Sequence, residues 1–193
     1  MLKMRWDMII AHPPCTYLSG AGNRYFNVEK YGDSALERIE KREEAFDFFM
    51  KFANANCDRV AVENPVGYPN SHFRKPDQTI HPWYFAEDEN DTKNYHFKRT
   101  CWWLKGLPKL EYSKDLEPPK PIYVEKSGKK RYYTDAHSGY SKDAKEFRSK
   151  TFPGIAKAIA EQWAGQAADE ENSTDLERIE KLEKELIAIK EEI

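Results

Sequence analysis

The feature that most constrains this chain is a short apolar run that ends at two adjacent prolines. Met8 to Ala11 form the run, and Pro13, Pro14 and Cys15 follow it directly after one histidine. Four apolar residues bounded by chain breakers predict a buried strand of an α/β sheet. Proline has no N–H for the hydrogen-bond ladder, so the chain has to turn where the strand ends. Cys15 is therefore predicted to lie on a turn at the carboxyl end of a strand, where open α/β sheets bind their ligands.

The position of Cys15 admits two interpretations. A thiol on a stiff loop at the edge of a sheet suits a nucleophile. Free cysteines are also often small, buried fillers. The chain has three cysteines, Cys15, Cys57 and Cys101, and no C-x-x-C pair. The odd number argues against a disulfide framework and predicts free thiols in a reducing, cytoplasmic location.

Length and charge exclude some classes of protein. The 193 residues fit one domain with an appendage, and the net charge of −2 gives no general attraction to polyanions. The sequence has no apolar run long enough to span a membrane, so we expect no membrane association. The run Met8 to Ala11 is too short for the core of a signal peptide.

A strand, a long helix and a second strand follow one another in the first third of the chain. Residues 16–33 are predicted to be a loop. Ser34 and Glu37 form a capping box that predicts a helix from there to about residue 54. The run Asp58 to Val62 predicts a second strand. Such a βαβ unit makes the two strands parallel, with their carboxyl ends at one edge of the sheet.

Glu63 and Asn64 end this second strand, so they are predicted to share a crevice with Cys15. A carboxylate that ends a buried apolar strand is costly unless it has a partner, and this makes Glu63 a candidate site residue. A structural glutamate that caps a neighbouring loop would show the same pattern.

The middle of the chain carries histidines and basic residues. Residues 66–96 are predicted to be loop, and the spacing of their histidines matches no common zinc motif, so no metal site is expected. The run Thr100 to Leu104 predicts a strand. Residues 93–150 hold 15 Lys or Arg against 7 Asp or Glu, interleaved with aromatics. This pattern suits either a nucleic-acid track or a solvated basic loop.

The end of the chain predicts two further helices. Residues 153–163 read as a helix with proline in its first turn. Together these elements predict an α/β domain over residues 1–165, a linker over 166–174, and a C-terminal heptad helix over 175–193. That last helix could dimerise, bind a partner chain or lie on the domain.

Two of these motifs resemble the DNA (cytosine-5) methyltransferase family. Pro13-Pro14-Cys15-Thr16-Tyr17-Leu18-Ser19 resembles its Pro-Cys catalytic loop, and Glu63-Asn64-Pro65 resembles its Glu-Asn-Val motif. The order and spacing of the two motifs also match. The resemblance implies a truncated Rossmann-like methyltransferase fold, with a mainly parallel sheet and flanking helices. The whole chain looks like a small phage-type member, which would act in the bacterial host cytoplasm.

The resemblance also implies the roles of single residues. Cys15 would be the nucleophile that attacks carbon 6 of cytosine, Glu63 the acid at ring nitrogen 3, and Arg99 the group that orients the base or a phosphate. The residues placed beside the substrate would be His12, Pro14, Thr16, Ser19, Asn64 and Lys98. The substrate would be cytosine in DNA or a pyrimidine nucleotide, and a base in duplex DNA would have to be flipped out.

The cofactor implied by the resemblance is S-adenosylmethionine, although its binding motif is not found. In the family a Gly-rich loop precedes the Pro-Cys motif, and here five residues precede Trp6. Gly20 and Gly22 follow the motif and do not open a helix as a dinucleotide fingerprint would. The resemblance therefore supports pyrimidine chemistry better than methyl transfer.

Three alternatives stay open. A pyrimidine-modifying enzyme that does not use S-adenosylmethionine would fit, because thymidylate-synthase-like enzymes also attack carbon 6 with a cysteine after Pro-Pro. A catalytically degenerate phage accessory protein that binds nucleotides or DNA would fit as well. A partner chain docked through residues 175–193 could also supply the missing half of the site.

Overall fold

A central four-stranded sheet with helices on both faces organises the protein. The computed structural model describes residues 4–113, 115–132, 134 and 151–165. The strands are β1 (Ile9–Ala11), β2 (Val60–Pro65), β3 (Gln78–Ile80) and β4 (Thr100–Lys105), in the spatial order β1-β2-β4-β3. The helices are α1 (Val28–Tyr31), α2 (Asp33–Ala53), α3 (Pro69–His72) and α4 (Pro153–Ile159), which continues as a π-helical segment over Ala160–Ala164. The other elements are 3₁₀ helices at Gly20–Phe26 and Pro82–Phe85 and a hairpin of β5 (Tyr123–Val124) and β6 (Lys130–Arg131).

The predicted βαβ unit is confirmed. Strands β1 and β2 are parallel, with Ile9 opposite Val60 and Ala11 opposite Val62, and α2 lies between them in the chain. Their carboxyl ends therefore lie at the same edge of the sheet.

The sheet is mixed, so the expectation of a mainly parallel sheet is wrong. In the described part of the chain, β4 is antiparallel to both β2 and β3. All residues of β4 before Lys105 are buried. Burial on both faces is the pattern that parallel strands show, and it does not specify the direction of a strand in a helix-covered sheet.

The two faces of the sheet carry separate hydrophobic cores. On one face, Val60, Val62 and Trp103 pack with Phe49 of α2. On the other face, Trp102 and its neighbours pack with Ile155, Ile159 and Trp163. Successive side chains of a strand point to opposite faces, and for this reason neighbouring positions of β2 and β4 belong to different cores.

The start of α2 differs from the prediction. The helix begins at Asp33, its N-cap is Gly32, and no side chain caps it. Ser34 lies inside the first turn, so its hydroxyl is not at the position from which a capping box bonds. Gly32 has φ +52°, a conformation that glycine adopts without strain, and it separates α1 from α2.

Two segments predicted as loops contain short elements. Residues 16–33 include the first 3₁₀ helix and α1, and residues 66–96 include α3, β3 and the second 3₁₀ helix. Each of these elements except the first 3₁₀ helix has four residues or fewer. One turn of helix or half a strand gives no hydrophobic period in a sequence, which is why the prediction missed them.

The predictions for the first strand and for the helix after residue 152 have different outcomes. Strand β1 is an edge strand with Ile10 37% exposed, so the expectation of a buried strand is wrong. The helix predicted over residues 153–163 is confirmed, with Pro153 in its first turn. The linker over 166–174, the heptad helix over 175–193 and most of residues 133–150 lie outside the described residues. Among the residues that the structure describes, no helix has the length and apolar character needed to cross a membrane.

Candidate active site

The loop that carries Cys15 is held at its root by a buried amide. Asn64 is fully buried, and its Nδ2 donates to the carbonyl of Pro13 at 2.8 Å and to that of Glu63 at 3.0 Å. Cys15 itself is exposed and not in a disulfide. Its carbonyl accepts hydrogen bonds from the N–H groups of Leu18 and Ser19, at 3.1 and 2.9 Å. The loop is thus fixed on both sides of a thiol that faces solvent.

Further along, the same loop pairs with the turn after β2. The N–H of Gly20 donates to Val66 at 3.0 Å, and the N–H of Tyr68 donates to Leu18 at 2.7 Å. Ser19 and Gly67 form an isolated antiparallel bridge between them. We call this pairing of residues 18–20 with residues 66–68 the loop clasp. It ties the continuation of β1 to the continuation of β2 at the carboxyl edge.

Two arginines of α2 donate hydrogen bonds to backbone carbonyls of the Cys15 loop. Arg38 donates from Nη2 to the carbonyl of Thr16 at 3.1 Å, and Arg42 donates from Nε to the carbonyl of Tyr17 at 3.3 Å. The guanidinium of Arg38 also lies over the ring of Tyr17, 4.9 Å from its centre. These contacts bind the crossover helix of the βαβ unit to the segment that directly follows Cys15.

Glu63 has a partner, as burial of its carboxylate demands. His12 Nδ1 lies 3.2 Å from Glu63 Oε2, and the two side chains are 40% and 19% exposed. The His12 ring meets Trp102 edge-on at 5.5 Å, and Trp102 meets Trp163 in the same way. The pair therefore lies on the face of the sheet that α4 covers. A half-buried carboxylate needs such a partner to offset its lost hydration.

Lys98 and Arg99 reach the same edge because β4 is antiparallel to β2. Thr100, the first residue of β4, pairs with Pro65, the last residue of β2. The two basic residues before Thr100 thus lie beside the carboxyl end of β2, at the edge where β1 also ends. The Nζ of Lys98 is 5.3 Å from the centre of the Phe152 ring.

His81 is a residue at this edge that sequence reasoning did not single out as a site residue. It follows β3, whose last residue, Ile80, also pairs with Thr100. His81 is 7% exposed, and its Nδ1 has no hydrogen-bond partner among the residues that the structure describes. Burial, and next the charge of Arg99, lower the pKa of His81 to about 4. The imidazole is therefore neutral at pH 7.

The structure brings most of the predicted site residues to one edge of the sheet. Some of their side chains make hydrogen bonds that hold the loop in place. His12, Pro14, Cys15 and Thr16 follow β1, and Glu63 and Asn64 lie at the end of β2. Glu63 and Asn64 point to opposite faces, however, and Asn64 is buried against the loop. The Ser19 hydroxyl accepts from the N–H of Ala21 at 3.3 Å as the cap of the 3₁₀ helix. In this structure Asn64 and Ser19 position the loop, and the fully buried Asn64 presents no surface to a substrate.

The glycines that follow Cys15 do not form an open Gly-rich loop of the kind that would bind S-adenosylmethionine in the family that the chain resembles. The N–H of Gly20 bonds Val66, and the N–H of Gly22 bonds Ser19 at 3.2 Å. These amides are used within the protein, so they cannot also face a ligand. Within the described ranges, no group of three His, Cys, Asp or Glu side chains is arranged to hold a metal ion.

Comparison of the chain with the sequence models of protein families, with curated proteins and with solved structures found no match.

Proposed function

We propose that this protein is an enzyme of the cytosine-5 methyltransferase type, in which the Cys15 thiolate adds to carbon 6 of a cytosine or a related pyrimidine. One observation carries the proposal. An exposed thiol on a fixed loop shares a sheet edge with the half-buried carboxylate of Glu63. A nucleophile, an acid and basic residues at one sheet edge are the groups that pyrimidine activation requires.

The chemistry explains why a thiol and an acid are both needed. Carbon 5 of cytosine is a poor nucleophile. When the Cys15 thiolate bonds to carbon 6, the carbon 5–carbon 6 double bond is replaced by a carbon 4–carbon 5 double bond. The electron pair of the carbon 4–nitrogen 3 double bond moves to nitrogen 3, which takes a proton from Glu63. Carbon 5 is then an enamine carbon that can bond a proton or another electrophile. Loss of the original carbon-5 hydrogen as a proton to water, departure of the sulfur as thiolate and return of the nitrogen-3 proton to Glu63 restore the ring.

The other residues have supporting roles in this proposal. His12 is a positioning residue, because its contact with Glu63 fixes the direction of the carboxylate. Asn64 holds the loop root through Pro13. Arg99 and Lys98 supply positive charge for the base or for a phosphate. Pro14 and Thr16 flank the nucleophile and line the approach to it.

The electrophile at carbon 5 is a separate question. S-adenosylmethionine is the methyl donor that the resemblance implies, and the internal use of the glycine amides argues against it. This observation favours two other candidates: a pyrimidine-modifying enzyme with a different electrophile, and a degenerate protein that binds nucleotides or DNA without catalysis. The thiol on a fixed loop supports the enzyme, because a binding protein has no need of it.

The wider setting follows from the same proposal. The parallel β1–β2 pair with helices on both faces suits a shortened Rossmann-like methyltransferase fold. The substrate is DNA or a pyrimidine nucleotide. A thiolate mechanism needs a reducing compartment such as the cytoplasm. Residues 175–193 provide a heptad segment through which a second copy or a partner chain would bind.

The decisive experiment is release of tritium from 5-tritiated cytosine in single-stranded DNA, duplex DNA and deoxycytidine monophosphate. Addition at carbon 6 exchanges the carbon-5 hydrogen with solvent even when no methyl donor is present. We expect release by the wild type and none by Cys15→Ala. Cys57→Ser is the matched control, since it also removes a thiol and keeps a donor for the carbonyls of Trp6 and Arg59. Release that persists in Cys15→Ala would remove Cys15 as the nucleophile.

Glu63→Gln tests the acid. The amide keeps the shape of the side chain and cannot supply the proton, so release should fall by about 10²-fold or more while binding stays within a few fold. Adding S-adenosylmethionine to the wild type then shows whether a methyl group competes with exchange. An unchanged rate in Glu63→Gln would exclude its role as the acid, and absence of release from every substrate would favour the binding protein.

A further inference from the structure

A cavity of about 340 Å³ lies where the loop clasp meets α2, apart from the His12–Glu63 pair. The first 3₁₀ helix, α2 and the turn that leads into α3 form its walls. The side chains that matter for its chemistry are Asn23, Phe26, Arg42, Tyr68, Ser71 and His72.

Arg42 brings an unmatched positive charge to this cavity. Its Nε donates to the carbonyl of Tyr17, and its Nη2 donates to Asn23 Oδ1 at 3.3 Å. Within the described part of the chain, Arg42 makes no ion pair and its Nη1 makes no hydrogen bond. Arg38, one helical turn earlier, also has no carboxylate partner there. Glu43, the nearest acidic neighbour in sequence, accepts instead from the hydroxyl of Tyr68 at 2.9 Å.

The electrostatics agree with this geometry. Partial burial, and then the charge of Arg38, lower the pKa of Arg42, while Tyr68 and Glu43 act in the opposite direction. Two guanidinium groups on one helix face repel each other unless an anion lies between or beside them. An arginine with a free nitrogen in a cavity is the group that proteins most often use for phosphate.

The remaining lining suits a phosphate that is joined to a planar base. The Arg42 guanidinium carbon lies 3.0 Å from the centre of the Phe26 ring and 4.9 Å from the centre of the Tyr68 ring. His72 stacks on Tyr68 at 3.5 Å, with its Nδ1 at 3.0 Å from both the Tyr68 carbonyl and Ser71 Oγ. This arrangement leaves His72 Nε2 without a partner among the described residues. Aromatic rings beside a cation are the usual elements of nucleotide recognition.

We propose that this cavity binds the phosphate group of a nucleotide, with Arg42 as the principal cation and one further donor. That donor is the Ser71 hydroxyl when His72 Nδ1–H donates to the Tyr68 carbonyl, or His72 Nε2–H when Ser71 Oγ donates to Nδ1. The phosphate could belong to a free nucleotide or to the backbone of a single strand, since both present the same group. The proposal does not rest on the chemistry of Cys15, because binding requires no reaction.

The test is isothermal titration calorimetry at low salt with deoxycytidine monophosphate, deoxycytidine and a six-nucleotide strand without terminal phosphates. We expect the monophosphate or the strand to bind at least about tenfold more tightly than deoxycytidine. Whichever of the two binds more tightly identifies the source of the phosphate. Cys15→Ala should bind as the wild type does, which separates failure of this proposal from failure of the proposed reaction.

Four variants locate the site. Arg42→Gln should weaken binding by about tenfold or more, and Lys51→Gln, on the same helix and exposed, should not change it. Because Arg42 also supports the loop, Ser71→Asp gives a second test that leaves those contacts intact. It places a carboxylate at the cavity and should weaken binding about tenfold, while the neutral Ser71→Asn should not. Equal affinity for deoxycytidine and both phosphate ligands, or wild-type affinity in both Arg42→Gln and Ser71→Asp, would overturn the proposal.

Discussion

The loop clasp depends on the absence of a side chain at Gly67. A Cβ at this position would lie 1.9 Å from the carbonyl oxygen of Leu18, and 2.8 Å from the nitrogen of Gly20. Both are backbone atoms, so no rotamer change can relieve the contact. We therefore predict that Gly67→Ala opens the clasp and separates the turn after β2 from the loop after β1.

The size of the effect follows from what the clasp contains. Opening it breaks the hydrogen bonds from Gly20 to Val66 and from Tyr68 to Leu18. Each such bond contributes about 1 kcal/mol net, and more is lost if a group stays buried without a partner. We expect the free energy of unfolding to fall by about 2–4 kcal/mol, which for a chain of this length lowers Tm by roughly 5–15 °C.

Urea unfolding followed by tryptophan fluorescence measures this change, since the free energy extrapolates linearly to zero denaturant. Gly165→Ala is the matched control. A Cβ there meets no heavy atom within 4 Å, and the residue has helical dihedrals. Its stability should stay within about 1 kcal/mol of the wild type, on the stabilising side. A Gly67→Ala protein within about 0.5 kcal/mol of the wild type would refute the reasoning, because backbone atoms would then have yielded without cost.

Three further predictions concern His81, Asn64 and the three cysteines. His81 has a pKa of about 4 in the folded protein and about 6.5 in the unfolded chain. Its contribution to the free energy of unfolding is therefore complete above pH 6.5 and is lost as the pH falls toward 4. Between pH 7 and 4 the wild type should lose about 2 kcal/mol more stability than His81→Phe, after a discount for solvent screening; parallel stability curves would contradict this. Asn64→Leu removes the amide that holds the Pro13 carbonyl and should cost about 2–3 kcal/mol in urea unfolding, and a neutral change would show that the loop root needs no support. Iodoacetamide on the native protein should label Cys15 at least about tenfold faster than Cys57 or Cys101, because those two thiols are buried. Mass spectrometry measures the labelling rates, and equal rates would mean that the two buried thiols are accessible.

The sequence predicted the part of the fold that depends on local pattern and chain breakers. The prolines at 13 and 14 end β1, the periodicity of residues 34–53 gives α2, and the order of these elements gives the parallel pair. It could not predict the direction of β4, because Trp102 and Trp103 are buried on opposite faces and carry no polar side to orient the strand.

The site was predicted in its position and not in its internal contacts. Cys15 and Glu63 lie at one edge because parallel strands put them there. The partnership of His12 with Glu63 joins residues 51 positions apart, and no local spacing encodes it. The opposite directions of Glu63 and Asn64 follow from the alternation of a strand that continues through both residues, whereas the predicted strand ran from Asp58 to Val62 and stopped before them.

The long sequence separation of the edge contacts has a consequence for folding kinetics. The bonds from Asn64 to Pro13, from His12 to Glu63 and from Gly20 to Val66 each close a loop of about fifty residues. Such closures cost chain entropy before any contact repays it, so non-local pairings form after local helices. We therefore expect the Cys15 loop to acquire its geometry late, after α2 has formed and the sheet has assembled. A nascent or partly folded chain carries an ordinary cysteine, and the arrangement proposed for catalysis arises only in the completed fold.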